Sequence, residues 1–240
     1  MTGVKSRSEV LAALPLPWPD DVRLQIRELV ALRADCKLVV LDDDPTGTQT
    51  VCDVPVLTAW DVDTLQAEFA QPGPCFYILT NSRSLVAADA KTLTHEIAAS
   101  LRVAARGRPF TVVSRSDSTL RGHFPGEVDA LAAALETRFD GLILAPYFRE
   151  GGRYTVDNIH YVVSGGKALP AGETEFARDP AFGYAASDLR LWVQEKSAGR
   201  IQAGTVASLS IHDIRTGAIL EKLVRLRNGQ VCIVNAVCDG

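Results

Sequence analysis

Short apolar runs rich in β-branched residues alternate along this chain with stretches of helical periodicity, and that alternation restricts the fold more than any other feature. Residues 37–41, 54–58, 75–80, 110–113, 142–145 and 230–235 read as strands. Helices are expected near 61–70, 87–105, 125–135, 187–196 and 211–226, and a leading helix over 20–33 sets Val22, Ile26, Leu29, Val30 and Leu32 at helical spacing. Strands joined through helical crossovers run parallel. The spacing therefore predicts an α/β fold, an open and mainly parallel sheet with helices on both faces. From Tyr147 to Tyr184 the texture changes to glycines and aromatics, and residues 159–163 and 167–169 flank Gly165 and Gly166 as a small β-hairpin insertion. The expected organisation is a helical extension over 1–36 and an α/β domain over 37–240.

The chain has 240 residues, 47% of them hydrophobic, enough to bury roughly 70–75% of its unfolded surface without staples. With 25 basic against 29 acidic side chains, a formal charge of −4 and no basic run, it lacks the phosphate-neutralising surface of a nucleic-acid binder. No apolar stretch approaches the ~20 residues of a membrane span. Residues 1–19 carry no basic leader ahead of an apolar segment, so the expectation is no signal peptide and a cytoplasmic location. Five widely spaced cysteines with no Cys-x-x-Cys pair indicate neither a disulfide framework nor a zinc site, and no metal site is expected. Arginine outnumbers lysine 19 to 6. That excess fits either guanidinium recognition of oxyanions or codon bias, and only the position of each arginine decides.

Ligands in an open parallel sheet bind beyond the carboxyl ends of its strands, and here the loops at those ends are unusually polar. One holds Asp42, Asp43, Asp44, Pro45, Thr46 and Gly47; another Asn81, Ser82, Arg83 and Ser84; a third runs from Ser114 to His123; a fourth carries Arg149, Gly151, Gly152, Arg153 and Tyr154. Their convergence on one crevice is the expectation. Three adjacent carboxylates repel one another and are costly to bury, although one of them capping the Pro-Thr-Gly turn is the plain alternative. Arg115 and Arg121, ahead of a helix that starts near residue 125, suit an anion; the alternative is an internal Asp117–Arg121 pair. His123 and His160 are lone histidines, more often structural than functional. The paired glycines before Arg153 and Tyr154 suggest a mobile loop able to close over a ligand, whereas Tyr147, Phe148 and Tyr161 read as aromatic packing. Walker, dinucleotide, Gly-x-Ser-x-Gly and His-Glu-x-x-His patterns are all missing.

Asp43-Asp44-Pro45-Thr46-Gly47, Asn81-Ser82-Arg83 and Asp117-Ser118-Thr119-Leu120-Arg121-Gly122 together resemble the four-carbon acid sugar kinase family. Gly151-Gly152-Arg153-Tyr154-Thr155 and the segment from Glu173 to Pro180 extend the resemblance along the chain. It implies an enzyme that phosphorylates erythronate, threonate or an oxo-tetronate with ATP and Mg²⁺. This chain corresponds to the N-terminal, sugar-acid-binding half; the C-terminal nucleotide-binding domain, the implied source of ATP and Mg²⁺, is absent from it. A homo-oligomer is compatible with the resemblance. The chain departs from the family pattern at Arg115, where lysine is frequent, and at His123, where asparagine is. In the implied site Asp43, Asp44 or Asp117 accepts the hydroxyl proton, and Arg83 and Arg115 take the substrate carboxylate. Asp44, Thr46, Ser82, Ser118 and Gly122 surround the hydroxyls, Arg121 steadies the loop or the transferred group, and His123, Arg153 and Tyr154 complete the lining.

Two other readings compete. Asp42-x-Asp44-x-Thr46 after an apolar strand matches the nucleophile motif of haloacid-dehalogenase-like phosphatases, with Asp42 attacking phosphorus and Asp44 as the acid. Against it, no later acidic pair follows a strand, and the Asp117–Gly122 segment goes unexplained. The third reading is a non-catalytic sugar-acid-binding module.

Overall fold

The computed structural model describes residues 5–12, 14–18, 21–33, 35–48 and 51–238. In chain order they form β1 (Lys5–Ser6), α1 (Arg7–Ala12), α2 (Arg23–Leu32), β2 (Lys37–Asp42), β3 (Val56–Leu57), α3 (Val62–Ala70), β4 (Cys75–Leu79), α4 (Ala87–Ala104), β5 (Phe110–Arg115), α5 (Gly126–Ala134), β6 (Gly141–Leu144), β7 (Arg153–Val156), β8 (Ile159–Ser164), β9 (Lys167–Pro170), α6 (Leu189–Lys196), β10 (Ala207–Leu209), α7 (Ile211–Thr216), α8 (Ile219–Leu223) and β11 (Gln230–Val234). The architecture is mixed α/β, with parallel strands flanked by helices and a separate antiparallel sheet. No described helix is long and apolar enough to cross a membrane.

The chain divides into two compact units. One comprises residues 22–117 and 122–137. Its four strands, ordered β3-β4-β2-β5, are all parallel. Val39, Val40 and Leu41 of the central β2 are buried, as a strand covered on both faces requires. Val39, Leu41, Phe76 and Ile78 form one core with Leu65 and Phe69 of α3 and Ile97 and Leu101 of α4. Asp61 caps α3 by accepting the Thr64 N–H at 2.9 Å. The register sets Asp42, the last residue of β2, level with Leu79 of β4 and Arg115 of β5. Three polar loops thus leave the same edge of one sheet.

The other unit comprises residues 1–21, 118–121 and 138–240. It holds an antiparallel sheet, β1-β9-β8-β7, and a parallel one, β10-β11-β6. The expected hairpin is present, with Gly165 and Gly166 at φ of 56° and 77° between β8 and β9.

The departures from expectation have local causes. The parallel strands fall into two sheets, because β6 pairs with β11 and not with any strand of the β2 sheet. The helix expected over 211–226 is two, broken where Gly217 adopts φ 77° at the end of α7. The helix expected over 20–33 is α2 and begins at Arg23; residue 20 lies outside the described residues. Arg153 and Tyr154, expected on a mobile loop, lie in β7, which turns into β8 through Asp157 and Asn158, both left-handed at φ of 49° and 66°.

Candidate functional site

At the edge of the β2 sheet, Arg83 is fixed by two aspartates. Its Nε donates to Asp43 Oδ2 at 3.0 Å, Nη2 to Asp43 Oδ1 at 2.5 Å and Nη1 to Asp44 Oδ2 at 3.1 Å. Asn81, left-handed at φ 51°, turns the chain out of β4 into the short 3-10 turn Ser82–Ser84 that presents this arginine. Asp43 also accepts from Ser116 Oγ at 2.9 Å. Arg115, at the end of β5, donates Nη1 to Asp42 Oδ1 at 3.0 Å and is 32% exposed. Its Nε and Nη2 carry no hydrogen bond among the described residues, so Arg115 keeps donors for a ligand, whereas every nitrogen of the Arg83 fork is engaged.

The aspartates differ in environment. Asp42 is buried, with Oδ2 unpartnered among the described residues; burial raises its pKa against the opposing pull of Arg115. Asp44 accepts the Thr46 N–H and hydroxyl, at 2.8 and 2.5 Å. Those bonds lead in lowering its pKa. Asp117 is half-buried and its charge supports that of Arg83. Gly122 is obligatory here: at φ 150°, a Cβ on it would come within 2.1 Å of Ser116 Oγ.

Behind this layer lies a buried chain of hydroxyls ending in Glu127, a residue the sequence reading passed over. Thr80 Oγ1 donates to the Asp42 carbonyl at 3.0 Å and sits 3.1 Å from Ser82 Oγ, which donates to Glu127 Oε1 at 2.5 Å. His123 Nε2 donates to the Ser82 carbonyl at 3.1 Å. Burial raises the Glu127 pKa, opposed by the Ser82 hydrogen bond and by His123. Ser82, expected to line the ligand, is fully buried and braces its loop from behind.

The remaining expected residues belong to the other unit. Ser118 and Thr119 offer backbone carbonyls, the first to His160 Nε2 at 2.7 Å and the second to the Tyr184 hydroxyl at 2.7 Å. His160 is buried and its Nδ1 lies 2.9 Å from Thr155 Oγ1, a structural histidine in both bonds. Tyr154, expected on a closing loop, is a buried strand residue packed on Tyr147 at 6.3 Å. Arg121 and Arg153 both stand over the Phe176 ring, at 5.1 and 5.4 Å. Of the four expected loops, three therefore meet at the β2 sheet, and the segment bearing Arg153 forms part of a separate cluster.

A family model described as a sugar-binding N-terminal domain matches residues 38–240. Two crystal structures of a Bordetella bronchiseptica protein, described as a domain of unknown function (DUF1537) with bound citrate and as a domain-swapped dimer, superpose with TM-scores of 0.61 and 0.60 at 24% and 23% identity. They cover 83% and 85% of this chain, and 47% and 49% of that one. A Haemophilus influenzae protein assigned to DUF1537 has a TM-score of 0.56 at 16% identity, covering 83% of this chain and 48% of its own. The chain thus spans about half the length of the solved structures it matches, and at these identities the likeness is one of fold. No curated protein matches the chain.

Proposed function

This chain belongs to the sugar-binding N-terminal domain family, and from that premise we propose that it is the substrate-binding half of an ATP-dependent kinase acting on a hydroxyl of a four-carbon acid sugar. The observation that carries the reading is Arg115, a half-exposed guanidinium with unspent donors beside the Asp43–Asp44–Arg83 cluster at the end of parallel strands. An acid sugar asks for this pairing: a guanidinium for its carboxylate and carboxylate oxygens for its hydroxyls. The citrate bound to the Bordetella relative, a hydroxylated carboxylate, supports an acid ligand.

In the proposed mechanism Arg115 anchors the substrate carboxylate, and Asp44 with the Thr46 turn receives hydroxyls. Asp43 is engaged by Arg83 and Ser116 and holds the cluster's shape. Asp117 accepts the proton of the attacking hydroxyl as its oxygen bonds to the γ-phosphorus of ATP and the bond from that phosphorus to the departing ADP oxygen breaks. Ser82, His123, Glu127 and Gly122 position these loops. Among the described residues no set of three or more His, Cys, Asp or Glu side chains is arranged to hold a cation, and Asp42, Asp43 and Asp44 face guanidinium groups. The described residues do not fit Mg²⁺. ATP and Mg²⁺ are assigned to a C-terminal nucleotide-binding half, the proposed intrachain partner. A second copy of the chain is a further proposed partner, supported by the dimeric description of the Bordetella relative; the proposed location is the cytoplasm.

The phosphatase reading requires Asp42 to present a free oxygen to phosphorus. Its side chain is 1% exposed and held by Arg115, and a Cβ on Gly47 would lie 2.0 Å from Oδ2, so the loop backbone closes over that oxygen. This burial favours the kinase. Titration with erythronate and threonate tests the reading: the chain alone binds a four-carbon acid, and ATP consumption appears only once the nucleotide-binding half is supplied. ATP turnover by the 240 residues alone contradicts it.

A further inference from the structure

We propose that α2 covers the open face of the β2 sheet in a second copy of the chain, and that the second copy's α2 covers this one. Both surfaces are apolar, and every chain carries both. On α2 the stripe runs through Ile26, Leu29, Val30 and Leu32, with Arg27 and Glu28 on the opposite side. Ile26, Leu29 and Leu32 are 52, 62 and 82% exposed, and no described residue of α2 is buried. A ten-residue helix without a packed face is marginal in water. The stripe therefore asks for a partner.

The β2 sheet offers the matching surface. A strand as apolar as β2 calls for cover on both faces, and α3, α4 and α5 supply it on the face of Val39, Leu41, Phe76 and Ile78. Side chains alternate along a strand, so the register puts Leu38 and Val40 on the other face with Tyr77, Val113 and Val56. Val40, level with Tyr77 and Val113, is buried, whereas Leu38, Val56 and Val113 are exposed. The lengths agree as well: the ten residues of α2 span about 15 Å, close to the five residues of β4 at about 3.3 Å each.

The link between the helix and its own sheet favours a second copy as the occupant. The Arg33 N–H donates to the Val30 carbonyl at 3.0 Å and the Cys36 N–H to the Arg33 carbonyl at 2.8 Å, closing a turn that leaves both surfaces bare. Folding α2 back onto its own sheet opens that turn; exchange between two copies keeps it. A two-fold axis makes both contacts at once, each stripe on the other copy's face, and leaves neither surface over. The exchange rests on the second copy proposed above as a partner, and not on the acid ligand or the kinase reading.

Sedimentation velocity of the full 240-residue chain tests the exchange, together with photo-crosslinking from a benzophenone amino acid substituted at Leu29 in an equal mixture of isotope-labelled and unlabelled chains. The native chain sediments as a dimer. Leu29→Glu weakens that dimer at least about tenfold, because its carboxylate is buried against an apolar face, and circular dichroism checks that the variant folds. Crosslinks join position 29 to peptides of β2 or β5 in pairs of mixed isotope, a readout that does not depend on the variant. A monomeric native chain, an undiminished dimer in Leu29→Glu, or crosslinks confined to pairs of like isotope overturns the exchange. Mixed-isotope crosslinks in a chain that gives no heat with threonate remove the acid-ligand reading instead and leave the exchange standing.

Discussion

Arg83 grips Asp43 with two hydrogen bonds, Nε to Oδ2 at 3.0 Å and Nη2 to Oδ1 at 2.5 Å, and so ties the loop after β2 to the turn after β4. The pair is 17% and 3% exposed, sheltered enough for its geometry to matter. Arg83→Lys keeps the charge and loses the fork. Chemical denaturation is expected to register a loss of about 1.5–3 kcal/mol. An unchanged midpoint means the grip contributes nothing to folding.

Arg115 has the opposite role, with spare donors and greater exposure. Arg115→Lys still neutralises Asp42, so stability stays within about 1 kcal/mol. Four-carbon acid affinity measured by calorimetry falls at least about tenfold. Equal affinity in the two proteins takes the carboxylate away from Arg115.

Gly122→Ala places a methyl group 2.1 Å from Ser116 Oγ at a φ of 150°. The expected cost is about 1–3 kcal/mol, read as a lower denaturation midpoint, together with weaker acid binding because Ser116 must leave Asp43. Ligand affinity that survives intact separates the Ser116–Asp43 bond from the binding site.

Glu127 carries a pH signature. Burial raises its pKa above the ordinary 4.5, so between 4.5 and the folded value the native state holds more protons than the unfolded chain. Its contribution is full below 4.5 and is lost as pH rises through the folded value. Glu127→Gln preserves an acceptor for Ser82 Oγ and removes the titration. Its stability profile against pH is flatter above 4.5 than that of the native chain; parallel profiles would show that Glu127 titrates normally.

The strands of the β2 sheet were legible because a doubly covered strand writes itself as a continuous apolar run, as in Leu38-Val39-Val40-Leu41. The polar loops at its edge were legible for the complementary reason: carboxylates and guanidiniums without apolar spacing have no packing role. Pairing between distant strands was not. Nothing local to Gly141–Leu144 says that its neighbour is Gln230–Val234. β7 escaped because its turn uses Asp157 and Asn158 in place of glycine. Glu127 escaped because an acid in the first turn of a helix reads as a complement to the helix dipole, and only burial reveals its bond to Ser82.

The central claim is that the β2-sheet edge binds a four-carbon sugar acid through Arg115. Calorimetric titration of the native chain and of Arg115→Lys with erythronate and threonate tests it most directly. One-to-one binding by the native chain, weakened at least about tenfold by the substitution, is the predicted result. No heat with either acid, or equal affinity in both proteins, contradicts it.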